Sequence, residues 1–295
     1  DMSTLTRRYT DEAIGFIKQH KQEPFFLYLA HTMPHTLLAV SEEFKGKSEG
    51  GFYGDVIEEI DYNLGRILTT LGEAGIDENT YVIFASDNGP WWIKGEHGGN
   101  ASPLRGAKTS AWEGGLRVPC IIRAPGKIPA ETSSDLVTST IDLLPTIARI
   151  AGAELPSDRV IDGLDISGII HGDSSSFERP FFYYLHQELR AVRMGKWKLY
   201  RPHQPASGSI ALEKWPIHIA PEDRILFDKY VLYDLENDIG ETTDVSDEYP
   251  EVVARLSKQL DWAEKDIGDL GKRGINARPL GEEPYATPNE LFQHQ

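Results

Sequence analysis

The chain has 295 residues, of which 40% are hydrophobic and 26% are charged, enough for one large α/β domain or a core with a smaller second unit. The formal net charge of −16 excludes a general binder of nucleic acid or of anionic membranes, because both functions need a basic face. An anionic substrate remains compatible, since a metal ion and a few local cations keep a pocket positive. No apolar run reaches the ~18 residues that a membrane-spanning helix needs, so no membrane span is predicted.

The first half of the chain alternates helical and strand-like patterns. Thr10, followed by two acidic residues, predicts a helix start, and that helix ends near Lys21. Amphipathic helices are also predicted between Gly51 and Gly75 and over 141–151. Three apolar runs have the length of strands buried on both faces, namely 24–30, 80–85 and 118–123. This alternation predicts an open, mostly parallel sheet flanked by helices, in which ligands bind beyond the carboxyl ends of the strands.

The pattern changes after about residue 172. Strand-like segments follow at 181–185, 189–200 and 230–235, and a closing helix is predicted at 250–266. We therefore predict an α/β unit at residues 1–172. A smaller unit at residues 173–295 should hold an antiparallel sheet with one helix packed on it, ending in an irregular tail.

Polar side chains follow the predicted strands. Asp87 and Asn88 come directly after the second apolar run, and a carboxylate beside an amide oxygen suits a hard cation such as Ca²⁺ or Mg²⁺. His35 follows the first run and suits an anionic oxygen or a leaving group that needs a proton. Lys108 lies in a glycine-framed basic loop before the third run. Each feature alone has an ordinary alternative, because Asp-Asn-Gly also forms turns, and single histidines and basic loops are usually solvated.

In combination, these motifs resemble the type I, formylglycine-dependent sulfatase family. The order of residue types matches that family through the His35 loop, Asp87-Asn88-Gly89, Lys108 and the segment Trp-Glu-Gly-Gly-Leu-Arg-Val-Pro at 112–119. The resemblance continues through four later motifs, Ile-Asp-Leu-Leu-Pro-Thr at 141–146, Asp-Gly-Leu-Asp at 162–165, Gly-Lys-Trp-Lys-Leu at 195–199 and Leu-Tyr-Asp-Leu at 232–235. It implies an alkaline-phosphatase-like core without its N-terminal part, and the hydrolysis of a sulfate ester.

The resemblance also implies roles for individual residues. Asp87 and Asn88 would be two ligands of one Ca²⁺ ion, with Mg²⁺ less favoured. Lys108 would contact the sulfate and the leaving-group oxygen. His35 would bind the sulfate or help to protonate the departing alcohol.

Further residues are assigned to the substrate on the same basis. Glu96, His97 and Asn100 would face it, and His186 would reach the pocket from the smaller unit. Arg105 is counted among the substrate-binding positions, with a structural role as its alternative. Three tryptophans would stack on sugar rings or serve as packing, namely Trp91, Trp92 and Trp112.

The family's nucleophile segment is absent from this sequence. It carries a Cys/Ser-x-Pro/Ala-x-Arg motif and a pair of aspartates that complete the metal site. Cys120, the only cysteine, is followed by Ile-Ile-Arg and does not match; it is predicted to be a buried structural thiol. We therefore expect an upstream segment or a second chain to supply the nucleophile. Residues 1–295 alone should be inactive and prone to aggregation, because a sheet without its first strands has unpaired edges.

Two rival functions stay open at this point. One is a phosphomonoesterase or phosphodiesterase on the same scaffold, although such enzymes generally carry more His and Asp ligands for two metal ions. The other is an inactive relative that binds sulfated glycans. A sulfated carbohydrate is the preferred substrate class, and a periplasmic or secreted location is expected because sulfatases of this type commonly work outside the cytoplasm.

Overall fold

The computed structural model describes residues 1–173, 177–205, 211–212, 215–216 and 224–278. The helices in these ranges are α1 (Leu5–His20), α2 (Gly51–Glu73), α3 (Glu113–Leu116), α4 (Leu143–Ala151), α5 (Ser167–Ile170) and α6 (Pro250–Asp266). The strands are β1 (Val82–Ala85), β2 (Cys120–Arg123), β3 (Phe181–Leu185), β4 (Glu188–Met194), β5 (Trp197–Tyr200), β6 (Ala211–Leu212), β7 (Trp215–Pro216), β8 (Val231–Asp234), β9 (Gly268–Asp269) and β10 (Lys272–Arg273). The predicted tail lies outside the described residues from 279 onward. Within the described ranges, no helix combines the length and apolarity needed to cross a membrane.

The first helix begins earlier than the sequence predicts. Asp1 caps a short 3₁₀ turn by accepting a hydrogen bond from the Ser3 amide, and α1 continues directly from that turn. Thr10 is therefore an internal position and not the cap. Its hydroxyl donates to the Thr6 carbonyl one turn earlier, at 2.9 Å.

Helices α1 and α2 pack through apolar side chains at helical spacing, including Ile17 and Leu71. The segment 24–30 runs alongside them in an extended conformation but is not a strand, which corrects the prediction. It has no ladder partner among the described residues. Its alternate side chains face the two helices, while Phe26 and Tyr28 on its other face are 68% and 80% exposed.

Strands β1 and β2 confirm the other two apolar runs, but they pair antiparallel, with Phe84 opposite Ile121. The predicted mostly parallel sheet is therefore not seen among the described strands. The α/β unit contributes β1 and β2, and these two strands run in opposite directions. Cys120 was predicted to be buried and is exposed instead. It lies at the end of β2 opposite Ala85, where no described element packs over the pair.

The second unit is the predicted antiparallel sheet with one helix. Its strands lie in the order β3-β4-β5-β8, and the turn at Gly195 joins β4 to β5. One face packs on α6, where Leu256 and Leu260 are almost fully buried against Leu199 and Leu232. The opposite face packs on residues of the first unit, which adds Ala111 and Trp112 to the same apolar cluster as the following sheet residues: Tyr183, Ala191, Tyr200, Val231 and Tyr233.

The loop before α2 is held by one buried carboxylate. Asp55 is 2% exposed and accepts hydrogen bonds from the amides of Gly46, Lys47 and Ser48 at 2.8, 3.0 and 2.8 Å. These donors, with Ser48 the strongest, hold the pKa of the Asp55 carboxyl below its usual range. The ionised side chain therefore fixes the entry to α2.

We expect Asp55→Asn to lower the melting temperature at neutral pH, because the amide offers one acceptor oxygen and no charge to the three N–H donors. A depressed carboxyl pKa adds stability above the unfolded-state value of about 4, and this stability is lost as the pH falls through the lower folded-state value. The difference from wild type should thus shrink as the pH is lowered below about 4. Thermal unfolding of both proteins, followed by circular dichroism at several pH values, measures this difference in melting temperature.

Asp61→Asn is the matched control, since Asp61 lies exposed on the same helix. It should leave the melting temperature nearly unchanged. An Asp55→Asn deficit that stays the same from neutral to acid pH would contradict the role of the charge.

Candidate active site

The turn after β1 is packed against the segment that starts α3. The Gly89 amide donates to the Gly115 carbonyl at 3.0 Å, and a Cβ at position 89 would lie 1.8 Å from the Gly114 oxygen. Only glycine fits this approach. The turn that carries Asp87 and Asn88 is therefore locked to residues 114–115.

Lys108 and His35 lie near the indole of Trp91, which follows this turn directly. The Lys108 amide donates to the Pro90 carbonyl at 2.8 Å, and its ammonium nitrogen is 5.4 Å from the centre of the Trp91 ring. The His35 ring centre is 5.7 Å from the same ring. The structure thus brings together the segments that carry His35, Trp91 and Lys108, and His35 and Lys108 are the residues predicted to contact the sulfate.

The His35 ring has a defined orientation. Its Nδ1 lies 2.6 Å from the Thr36 carbonyl oxygen, and a carbonyl oxygen only accepts hydrogen bonds. Nδ1 must therefore carry a proton. This leaves Nε2 as an acceptor in the neutral ring and as a donor only in the imidazolium form.

Asp87 and Asn88 present the donor types that suit a hard divalent cation. Within the described part of the chain, no hydrogen bond or ion pair engages the exposed Asp87 carboxylate. The Asn88 amide nitrogen donates to the Gly89 carbonyl at 3.0 Å, so its nitrogen is committed and its side-chain oxygen remains for a cation. The described residues contain no cluster of three or more His, Cys, Asp or Glu side chains that could hold a metal ion. The pair thus fits such an ion in chemistry but supplies only part of its coordination.

The residues predicted to face the substrate lie on and after the 3₁₀ turn Trp92–His97, which packs on the start of α2. The His97 ring is 5.7 Å from the Phe52 ring, and a Cβ at Gly99 would come within 2.9 Å of Tyr53. Glu96, His97 and Asn100 are all exposed. The Asn100 side-chain oxygen accepts from the Ser102 amide at 2.7 Å.

Two other predicted substrate residues make different contacts. Arg105 stacks on the buried Trp112 ring at 3.7 Å and donates to the Glu241 carbonyl at 2.7 Å, so its observed contacts are internal. His186 is exposed in the turn between β3 and β4. Tyr184 and Leu189, which flank this turn, donate to the Gly268 carbonyl and the Asp269 carboxylate, so the turn is held to β9. A substrate contact for either residue stays a prediction.

A buried group of charges behind the site was missed in the sequence. Glu113, Lys198 and Glu241 are each fully buried, and the Lys198 ammonium lies 3.2 Å from Glu113 and 2.8 Å from Glu241. Arg193 pairs with the second Glu113 oxygen, and the Tyr183 hydroxyl donates to the first at 2.6 Å. The available signal was Lys198 within Gly-Lys-Trp-Lys-Leu, which alternation along β5 places on the face toward the first unit.

Burial raises the pKa values of these two carboxyl groups, and the neighbouring cations lower them. Burial alone would raise the pKa of Glu113, but Lys198, Arg193 and the Tyr183 hydroxyl hold it below its usual range. Burial raises the pKa of Glu241, which has Lys198 as its cation and the negative Glu113 close by. Burial and the Glu113 charge also raise the pKa of Tyr183 well above its usual value, so this phenol stays a hydrogen-bond donor.

Comparisons with known proteins show which family the chain resembles. The family model described as Sulfatase matches residues 2–153, and the model for the C-terminal region of aryl-sulfatase matches residues 176–278. Mouse steryl-sulfatase is 38% identical over 316 residues, covering 99% of this chain and 48% of the relative. Dog N-acetylgalactosamine-6-sulfatase is 43% identical over 199 residues, covering 66% of this chain and 38% of the relative.

Solved structures of bacterial proteins have the same fold. A sulfatase from a study of glycosaminoglycan metabolism by Bacteroides thetaiotaomicron matches with a TM-score of 0.75 at 30% identity, over 90% of this chain and 55% of that one. A Pseudoalteromonas sulfatase matches with a TM-score of 0.78 at 26% identity, over 89% and 52%. The predicted α/β fold class, with an alkaline-phosphatase-like core and a smaller C-terminal sheet, is confirmed.

The chain spans about half, or less, of the length of the curated relatives that it matches. One family model covers more than half of its residues, and a second covers most of the smaller unit. The residue order that resembled type I sulfatases is therefore matched over both units. This chain belongs to the sulfatase family.

Proposed function

We propose that this chain is part of a sulfuric ester hydrolase that releases sulfate from a sulfated carbohydrate. The observation that carries the proposal is the approach of Lys108 and His35 to Trp91, beside the turn of Asp87 and Asn88. A cation, an imidazole and metal-type oxygens in one place suit a small dianionic group attached to an alcohol. The N-acetylgalactosamine-6-sulfatase among the relatives supports the carbohydrate class, and a periplasmic or secreted location fits such a substrate.

Asp87 and Asn88 would hold one divalent cation, and Ca²⁺ suits their carboxylate and amide oxygens better than Mg²⁺. When bound, this ion supplies positive charge against the sulfate oxygens. Family members generally rely on a formylglycine for the nucleophile, and no Cys/Ser-x-Pro/Ala-x-Arg motif occurs in these 295 residues. Both groups therefore depend partly or wholly on polypeptide outside this sequence.

Lys108 and His35 would both act at the sulfur–oxygen bond that breaks. The Lys108 ammonium has three N–H donors and would contact a sulfuryl oxygen and the leaving-group oxygen together. The His35 Nδ1 proton is committed to Thr36, so His35 would donate from Nε2 as an imidazolium. That proton would pass to the alcohol oxygen as the sulfur–oxygen bond breaks.

The exposed apolar surface supports a need for further polypeptide. Phe26 and Tyr28 are 68% and 80% exposed on the segment that packs on α1 and α2, and Ile121 is 65% exposed on β2. Large apolar side chains grouped on sheet-like segments are normally covered in a stable fold. We propose that additional chain, which also brings the nucleophile and the remaining metal ligands, covers this surface.

The first test uses the full-length reading frame with 4-nitrophenyl sulfate, 4-nitrophenyl phosphate and sulfated sugars. Sulfate release should exceed phosphate release, and Lys108→Ala should lower the sulfatase rate by about 10²–10³-fold because a charge-stabilising donor is lost. Lys94→Ala is the matched control, since Lys94 is the other cation over Trp91, at 4.8 Å. Faster phosphate hydrolysis by the wild type would replace the proposal with the phosphatase reading.

A second test concerns the metal. Asp87→Asn should lower the calcium content of the purified full-length enzyme, measured by elemental analysis, because an amide replaces a charged ligand. Sulfatase activity should fall with it. Asn88→Asp keeps an oxygen at its position and should retain the ion. Wild-type calcium content in Asp87→Asn would exclude Asp87 as a ligand.

A third test concerns the isolated chain. Residues 1–295 alone should release no sulfate, because no position in this sequence supplies the family's nucleophile motif. Co-expression with the upstream part of the reading frame should restore activity and reduce aggregation, followed by light scattering. Substantial sulfate release by the homogeneous isolated chain would refute this part of the proposal.

A further inference from the structure

The segment that carries Lys108 is held at both ends by the second unit. We call residues 105–113 the Lys108 loop. At its start, the Arg105 guanidinium donates to the Glu241 carbonyl at 2.7 Å. Near its end, the Ala111 carbonyl accepts from the Lys198 ammonium at 3.0 Å and from the Tyr200 hydroxyl at 2.9 Å.

The last residue of the loop is tied to the same group. The Glu113 amide donates to a Glu241 carboxylate oxygen at 2.9 Å, while the Glu113 carboxylate lies 3.2 Å from Lys198. Lys198 thus contacts the loop through a backbone oxygen and a side-chain oxygen. The middle of the loop is fixed from the opposite side, where the Lys108 amide donates to the Pro90 carbonyl.

We propose that Lys198 is a positioning residue for the sulfatase reaction, which sets where the Lys108 ammonium meets the leaving-group oxygen. The inference rests on the proposed role of Lys108. Lys198 is fully buried against Glu113, Glu241 and the Ala111 carbonyl, so it would act through the loop and not on the substrate. A two-residue connection from Ala111 back to Lys108 is short enough to transmit a shift of the backbone.

This role has a kinetic signature that a general loss of stability lacks. A displaced Lys108 stabilises the departing oxygen less, and this matters most when the alcohol is a poor leaving group. A destabilised enzyme instead loses active molecules, which lowers the rate on every substrate by the same factor. The dependence of rate on leaving group therefore separates the two.

The experiment uses the full-length enzyme with 4-nitrophenyl sulfate, phenyl sulfate and an alkyl sulfate. Lys198→Met should lower kcat more than it raises KM, with a loss on the alkyl sulfate about tenfold or more beyond that on 4-nitrophenyl sulfate. Lys108→Ala should change the leaving-group dependence in the same direction. Adding Lys198→Met to Lys108→Ala should then have little further effect, because both changes act through one ammonium group.

Two further variants separate the proposed role of Lys198 from a loss of stability. Lys198→Met leaves buried carboxylates without their cation, so Lys198→Met/Glu241→Gln removes one negative charge and should fold better while keeping the altered leaving-group dependence. Arg190→Met removes a buried cation from the adjacent strand that bonds Glu188 and the Gln204 carbonyl. It should lower the melting temperature without changing the dependence on the leaving group.

Two results would overturn the inference. One is an equal loss on all three substrates in both Lys198 variants. The other is a full multiplicative loss when Lys198→Met is added to Lys108→Ala, which would make the two effects independent. Failure of the proposed function looks different, because the wild-type enzyme itself would then release no sulfate from any of these esters.

Discussion

The arrangement of the site depends on the buried contact between Lys198 and two carboxylates, Glu113 and Glu241. Each of the three side chains is removed from water, and their charges are acceptable only because they balance one another and meet further donors. One partner comes from the loop before β2 and the other two from the second unit. The contact therefore joins the smaller sheet to the loop that presents Lys108.

A buried contact of this kind is weak evidence for net stability. Removing one member of a buried ion pair typically costs about 3–5 kcal/mol, although replacing the whole group by apolar residues can be neutral. The hydrogen bonds of the Lys198 ammonium are directional, and one of them goes to the Ala111 carbonyl at 3.0 Å. Apolar contacts around Trp112 bury area without specifying position, so the hydrogen-bonded charges determine which backbone atoms meet.

Much of the fold followed from sequence because apolar periodicity reports which faces are buried. It predicted α6 to the residue, while His35, Asp87 and Lys108 were proposed as site residues through their order in the family. It did not identify the extended segment 24–30 as unpaired, because an apolar run looks the same with or without a neighbouring strand. Nor did it show that Cys120 is exposed, since burial of a strand end depends on what packs over it.

The central role of Trp91 and of Lys198 could not be read from spacing either, because both act across contacts between segments far apart in the chain. Their positions also explain how an acidic protein fits the anionic substrate proposed for it. Two of its carboxylates, Glu113 and Glu241, are buried with Lys198 and do not face the site, while the Lys108 ammonium lies over Trp91. The net charge of −16 is therefore a poor guide to the local potential, which is set by the charges that remain uncompensated near the strand ends.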